Sequence, residues 1–515
     1  MKTFKNPILP GFYPDPSICR VEEDYYLVTS SFTNYPGVPI FHSKDLVNWK
    51  QIGHVLDRPS QLPLDGQRQS QGIFAPTIRY HDGVFYMITT NVGHGGNFFV
   101  TATDPAGPWS DPYYLNAPGI DPSLFFDDDG KVYYHGTRPA PEGEKYSGNW
   151  EVWLQELDLE TNQLIGEPVG LWRGALRDVI WPEGPHIYKV DGMYYLLISE
   201  AGTGHHHACS IARSEQIKGP YVGNPGNPIL THRHLGKEYP IVNVGHSDLV
   251  QTQNGEWWAV ALASRIYGGY YRNLGRETYL LPVTWEDGWP IFSPGSGKLE
   301  MEYKIPNLPQ GEIVVEDVCD HFDDKELNMK WNLLRTPKEE SYSLTEREGF
   351  VSLYLRPEAI TKLEHPSILL RKQQHIQFTT STSMEFCPEI NHEEAGIVLL
   401  QSNEFHYRFV VTKADNEAMI TLIKCENGQE SILQQAPVQS DKIYLKIVAF
   451  GQDLSFYYGE SQANYQLLSD QIDGRILSTD VAGGFVGAQI GLYASSNGEK
   501  SDNKAYFDWF EYSSI

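Results

Sequence analysis

Long apolar runs are missing from this chain. Nowhere do about 18 apolar residues follow one another, so no membrane-spanning helix is expected. The opening MKTFKNPILPGF carries two lysines but no apolar stretch behind them, so no secretory leader is read there. Cysteine is scarce: Cys19, Cys209, Cys319, Cys387 and Cys425 stand apart, without CxxC spacing. An odd, sparse set suggests reduced thiols and a cytoplasmic setting, with the sulfurs acting as small buried packing groups. Positive charge is in deficit, with 40 Lys and Arg against 66 Asp and Glu, a net charge of −26. That balance argues against nucleic acid or an anionic membrane surface as partner and fits a neutral ligand. No amphipathic helix is legible between the strand-like segments of the first 300 residues or so.

What the chain has in quantity is aromatic side chains, 13% of residues, including 31 Tyr and 12 Trp. They suit strands, and they suit flat rings stacked on side chains. The most informative stretch is WPEGPHIYKVDGMYYLLISE, Trp181 to Glu200. Glu183 lies between Pro182 and Pro185, followed by an apolar run, a turn at Asp191-Gly192 and a Tyr-rich strand. This reads as a tight lead-in, a strand, a two-residue hairpin and a second strand. The same unit begins at Pro14 (PDPSICRVEEDYYLV), Phe74 (FAPTIRYHDGVFYMI), Ile120 (IDPSLFFDDDGKVYYH) and Gly245 (GHSDLVQTQNGEWWAV). Aligned on Ile18, Ile78, Leu124, Ile187 and Leu249, the units recur at roughly 46 to 63 residues, a period that signals a propeller or an array. Five all-β units predict a five-bladed β-propeller over residues 1–305. Its equivalent lead-in positions, Asp15, Ala75, Asp121, Gly184 (with Glu183 before it) and His246, should converge at one end of the channel. Three carboxylates and an imidazole would then share one mouth.

Several other motifs invite chemistry. NVGHGGN, residues 91–97, is Gly-rich but lacks the strand-then-helix context of a phosphate loop. Asp127-Asp128-Asp129 resembles a calcium loop without its later Glu, and reads as a solvated hairpin turn. In His205-His206-His207 neighbouring side chains on a strand would point to opposite faces, so at most two could share a metal; a loop-to-strand approach with one His near the pocket is expected. Arg276, in LGRET, is expected to pair with a buried acid or reach the pocket. Phe32 and Phe74 are candidate pocket walls. Near residue 300 the pattern changes: 306–316, with PNLPQG, reads as a linker, and 317–515 as a β-sandwich built from strands such as Ile368–Arg371, Ile397–Leu400, Tyr407–Val411, Ile443–Ala449, Gln489–Tyr493 and Phe507–Tyr512. Asp323 and Asp508, near its two ends, are candidate ligands for one structural Ca²⁺.

PDPS around Asp15, IDPS around Asp121, PEGPH around Glu183 and LGRET around Arg276, in that order on a five-unit repeat, resemble glycoside hydrolase family 43. Within it the chain is similar to β-xylosidases and α-L-arabinofuranosidases with a C-terminal sandwich of the concanavalin A-like jelly-roll type. That resemblance implies Asp15 as general base, Glu183 as general acid, and Asp121 as the residue that orients the acid and raises its pKa. It also implies that His246 and Arg276 contact the terminal sugar, that Phe32 walls the pocket, and that Phe485, in GGFVG, closes it from the C-terminal domain. Many relatives have Trp where Phe74 stands and Asp where Thr77 stands. Inversion and an exo mode of action follow from the resemblance, with no cofactor for catalysis.

Elementary chemistry agrees with this reading. Acetal cleavage needs a protonated carboxyl at the leaving oxygen and a carboxylate to activate water. A third carboxylate nearby disfavours ionisation of the acid, and an arginine keeps another carboxylate ionised. The expected substrates are xylo- or arabinoxylo-oligosaccharides, with no nucleic acid, no membrane partner, and homo-oligomerisation left open. An α-L-arabinofuranosidase is the alternative within the same chemistry. The alternative of another class is a non-catalytic sugar-binding propeller, which has no need of clustered carboxylates.

Overall fold

A computed structural model describes residues 2–314, 317–414 and 417–515. The last two positions of the expected linker, 315 and 316, lie outside the described residues. The chain is all-β; among the described residues, helix is confined to one 3-10 turn, Gly474–Leu477, and one short α-helical turn, Thr479–Ala482.

Residues 17–292 form five consecutive antiparallel sheets, four of four strands and one of five. The first strand of each lies at its sheet's edge: β1 (Ser17–Val21), β2 (Ile73–His81), β3 (Ile120–Phe126), β4 (Glu183–Val190) and β5 (Ile241–Gln251). β1 packs on β2, β2 on β3, β3 on β4, β4 on β5, and β5 returns to β1. The five first strands therefore close a ring. Hairpin chemistry sets their register. Asp191 and Gly192 both have positive φ (50° and 80°) between the paired residues Val190 and Met193, the backbone a type I′ turn demands. Asp82 and Gly83 repeat this between His81 and Val84.

The N-terminal stretch ties the ring shut. Thr3–Lys5 pairs with Glu302–Lys304, and Asn6 Nδ2 donates to the carbonyls of Leu280 and Glu300 at 2.9 and 3.0 Å. Inside the ring a polar core replaces apolar packing. Asp248 accepts from Arg79 Nη1 (2.8 Å), Ser17 Oγ (2.7 Å) and Tyr188 OH (2.6 Å). A buried carboxylate survives there because its charge is matched and its lone pairs are occupied.

Beyond 317 two sheets stack face to face. One contains Gln377–Glu385, Lys442–Phe450, Asp453–Gly459 and Lys504–Ser514; the other runs Ser367–Lys372, Gln489–Ser495, Glu394–Ser402, Phe405–Ala414, Glu417–Glu426, Gln429–Pro437. All six strand segments read from the sequence fall within these strands. Apolar residues between the sheets, among them Leu399, Phe409, Leu445, Phe456 and Phe507, belong to one buried cluster that continues into Val28, Ile40 and Ile73 of the ring. The two units are thus fused through a shared core. Leu333–Leu334 pairs directly with Asn34–Tyr35, and fully buried Arg335 donates to the Gln67 carbonyl at 2.6 Å and the Glu364 carbonyl at 2.8 Å. Of the expected linker, Pro306–Gly311 forms no strand, but Leu308 packs on the ring and the Gly311 N–H donates to Asp45 at 2.8 Å.

One expectation needs correction. The turn after β3 forms, but Asp127 is not solvated: it is buried, accepting from Lys189 Nζ at 2.8 Å and Tyr194 OH at 2.7 Å. The neighbouring strand supplies a cation and a hydroxyl, which a count of adjacent aspartates does not reveal.

Candidate active site

The five lead-ins do converge. Asp15, Ala75, Asp121, Glu183 and His246 line one cavity of about 340 Å³, near the lower end of the size range of small-molecule sites. The local backbone explains how. Asp15, Asp121, Gly184 and His246 all have positive φ, between 48° and 55°. β2, β3, β4 and β5 each break register at this point, between Phe74 and Thr77, Ile120 and Ser123, Glu183 and His186, and Gly245 and Asp248. A bulge swings a side chain out of the strand's alternation and toward the axis. Three non-glycine residues in the left-handed region carry strain that the ring holds in place, a feature that clusters at functional sites. Gly184 also has a steric reason: a Cβ there would sit 2.8 Å from the His246 ring.

The three carboxyls have different surroundings. Asp15 is buried, yet it accepts from Arg276 Nη1 at 2.6 Å and Ser30 Oγ at 2.6 Å, with His246 Nδ1 at 3.8 Å. Burial alone would raise its pKa; the Arg276 guanidinium, His246 and the Ser30 hydroxyl outweigh burial and hold it below the usual carboxylate range. Glu183 meets the opposite conditions. Burial first, and then the charges of Asp121 and Asp15, push it well above the usual range. Asp121 is also raised, chiefly by burial, and accepts from the Gly184 N–H at 3.1 Å, one residue from Glu183. One acid is thus held as a carboxylate while another is held protonated.

Around them stands an apolar wall. Phe32 lies 5.2 Å from Phe74 and 6.5 Å from Phe485, and Phe74 lies 6.0 Å from Phe485, ring centre to ring centre. Phe485 arrives from the sandwich. Gly483 and Gly484 have φ of 74° and 76°, and a Cβ on Gly484 would fall 2.1 Å from Ser70 Oγ. The same Ser70 Oγ accepts the Phe485 N–H at 2.9 Å. Gly275 and Gly487 let two backbones meet, since a Cβ on Gly275 would be 2.8 Å from the Gly487 Cα. Arg272 locks the segment through Asp480, Nη2 to Oδ1 at 2.8 Å. Arg276 completes the enclosure, its guanidinium 5.8 Å from the Phe32 ring and 5.9 Å from the Phe485 ring.

Every pocket residue named from the sequence, Asp15, Phe32, Phe74, Asp121, Glu183, His246, Arg276 and Phe485, lines this cavity. Trp150, Trp181 and Thr203 line it as well and were not singled out. Of the three adjacent histidines, His207 is the one that enters, at the approach to the strand Ala208–Ser214. Asp508 Oδ2 already has Lys442 Nζ at 3.6 Å, and no group of three or more metal-capable side chains among the described residues includes Asp323 or Asp508. The one such group is His406, Cys425 and Glu430.

Known proteins resemble this chain over nearly its whole length. Residues 4–290 match the glycosyl hydrolases family 43, and residues 319–513 match the β-xylosidase C-terminal concanavalin A-like domain. A xylosidase/arabinosidase of Butyrivibrio fibrisolvens is 51% identical over 98% of both chains. A non-reducing end α-L-arabinofuranosidase of Bacteroides ovatus is 41% identical over 99% of this chain and 95% of its own. The crystal structure of xylan β-1,4-xylosidase from Bacillus halodurans superposes with a TM-score of 0.94 at 37% identity, covering 99% of both chains. With its matching lead-in motifs, its ring of five sheets and a match over more than half its length, this chain belongs to family 43 of the glycosyl hydrolases.

Proposed function

We propose that this glycosidase is an exo-acting, inverting enzyme that removes xylose from the non-reducing end of β-1,4-xylo-oligosaccharides, and that the same pocket accepts terminal α-L-arabinofuranose. The observation that carries the reading is one pocket in which Arg276 and Ser30 bond Asp15 and favour its ionised form, while burial and two neighbouring carboxyls favour the protonated form of Glu183. Asp15 takes a proton from water, which attacks the anomeric carbon. Glu183 gives its proton to the leaving oxygen as the glycosidic bond breaks. Asp121 holds Glu183 protonated and in place, and Arg276 keeps Asp15 ionised while His246 faces the terminal sugar. The five sheets are the blades of a five-bladed propeller, residues 1–305, joined by residues 306–316 to a sandwich, 317–515, that belongs to the active site.

An exo enzyme must wall off one end of its channel. The Phe32–Phe74–Phe485 cluster supports that wall, because its last member is contributed by the sandwich. Dual specificity is supported by the names of relatives, which include a xylosidase/arabinosidase and an α-L-arabinofuranosidase over nearly the whole chain. No step of this chemistry calls for a metal. Assays of p-nitrophenyl β-xyloside and p-nitrophenyl α-L-arabinofuranoside side by side, with Asp15→Asn and Glu183→Gln, test the proposal. Each variant should lose about 10²–10⁴-fold or more on xylobiose while remaining folded. Turnover of xylobiose near the parent rate by either variant refutes the assignment.

A further inference from the structure

His207 lies at the pocket, is fully buried, and has no role in the chemistry above. Its ring is seated with care. Nδ1 lies 2.9 Å from the Asn243 carbonyl oxygen, and a backbone carbonyl can only accept, so Nδ1 carries the hydrogen. The neutral ring then has a bare lone pair on Nε2. That nitrogen is buried, has no hydrogen-bond partner, and stands 3.7 Å from Glu183 Oε1. The seat is built around the ring. A Cβ on Gly245 would fall 2.2 Å from the His207 ring, so position 245 must be glycine for the imidazole to fit. The His207 carbonyl is held by Thr231 Oγ1 at 2.8 Å. Asn243, in turn, is fixed by Tyr270 OH to its Oδ1 at 2.9 Å and by its own Nδ2 to the Thr203 carbonyl at 3.2 Å.

The geometry points to His207 as the positioning residue of the acid: its bare Nε2 faces Glu183 and accepts a hydrogen bond from the protonated carboxyl between turnovers, the proton staying on Glu183. This inference rests on Glu183 being the acid. A lone pair opposite a carboxyl is selective. It attracts the protonated form, O–H to N, and repels the carboxylate, so it favours the state that can donate. When the leaving oxygen takes the proton, the carboxylate is left facing that lone pair, which favours its return to the acid form. The imidazole itself stays neutral. Burial, the main cause, together with the nearby His246 and Arg276 overrides the raising influence of the Asn243 carbonyl and Asp15, and pushes its pKa down to about 3. Around Glu183 the charged groups are Asp121 on β3, Asp15 before β1 and Arg276 before the strand Glu277–Glu286, with His246 on β5 facing both Asp15 and Asp121. Two of these are like charges that also raise the acid; His207 places a neutral acceptor against it.

The test uses His207→Asn and His207→Gln in the full chain. Asn can keep the donor to the Asn243 carbonyl but cannot reach the Nε2 position; Gln can place an amide oxygen there. In His207→Asn the alkaline limb of kcat/KM should move down by about one pH unit, the size of effect one lost hydrogen bond to the neutral form produces. Xylobiose turnover near pH 7 should fall about tenfold, while a dinitrophenyl xyloside, whose leaving group needs no proton, should be turned over at close to the parent rate. His207→Gln should recover part of both effects. An unmoved limb, or equal losses on both substrates, overturns the inference. If His207→Asn does not fold, His207→Ala, which also lacks an acceptor at the Nε2 position, takes its place, and an unmoved limb or equal losses there overturns the inference in the same way. Glu183→Gln is run alongside. If it spares the dinitrophenyl substrate, Glu183 is the acid and the His207 result stands alone; if it does not, the acid assignment itself fails.

Discussion

Replacing Arg276 by Met should move the acid limb of the pH profile upward. The guanidinium is the nearest opposite charge to Asp15, with Nη1 to Oδ1 at 2.6 Å and both side chains below 10% exposed. Taking the charge centres as about 4 Å apart, an effective dielectric of about 20 gives roughly 4 kcal/mol of attraction, equivalent to about three pH units. Ser30 and His246 remain beside Asp15 and retain part of the depression, so a rise of about 1–3 units is expected. The sign follows from the role. A base must be ionised, so activity falls as pH drops through its pKa, and a raised pKa shifts that fall to higher pH. Arg276→Lys keeps a cation and should leave the limb nearly where it was. The assay is kcat/KM for p-nitrophenyl β-xyloside against pH in the parent and both variants. A buried carboxylate that loses its partner destabilises the fold, so melting temperature is recorded alongside. If kcat/KM in the Met variant falls uniformly with the limb unmoved, Arg276 does not set the charge of the base.

Three further outcomes follow from the same geometry. Asp121→Asn removes a like charge from beside Glu183, so the acid's pKa falls and the alkaline limb of kcat/KM should shift to lower pH; an unmoved limb removes Asp121 from that role. Phe485→Ala should raise KM on xylobiose by about 2- to 10-fold, the equivalent of the roughly 0.5–1.5 kcal/mol of an aromatic contact, with little change in melting temperature because the side chain is 41% exposed; unchanged kinetics would mean that Phe485 is not the wall. If calcium binds at Asp323 and Asp508, dialysis against a chelator should lower the melting temperature of the parent and leave that of Asp323→Ala and Asp508→Ala unchanged; equal falls in all three, or none, would remove that site.

Much of the site was legible because it lies on a repeat. Asp15, Asp121 and His246 were found by aligning lead-in positions, and all three share the left-handed backbone at those positions. Glu183 precedes its left-handed Gly184 by one residue, and the repeat still located it. What the repeat could not supply was residues off its register. His207 lies at the approach to the third strand of its sheet, Ala208–Ser214, and choosing it from three adjacent histidines needed Gly245 and Asn243, which lie about 40 residues on and meet it only in space. Trp150 opens the strand Trp150–Asp158 and Trp181 lies in the loop ahead of β4, and neither falls on a lead-in position of the repeat. In the sandwich, apolar strands such as Tyr407–Val411 were readable, while Gln377–Glu385, rich in Thr and Ser, and Gln429–Pro437, largely exposed at the sheet edge, carried too little apolar alternation to stand out. The buried Asp127 shows the same limit: its partner Lys189 is distant in sequence.

The central claim is a single displacement at the anomeric carbon, with water activated by Asp15 opposite the proton from Glu183. Proton NMR of xylobiose hydrolysis, followed from the first turnovers, reads the configuration of the released sugar before mutarotation mixes it. The account predicts that α-xylose appears first from the non-reducing residue. β-Xylose appearing first would contradict it.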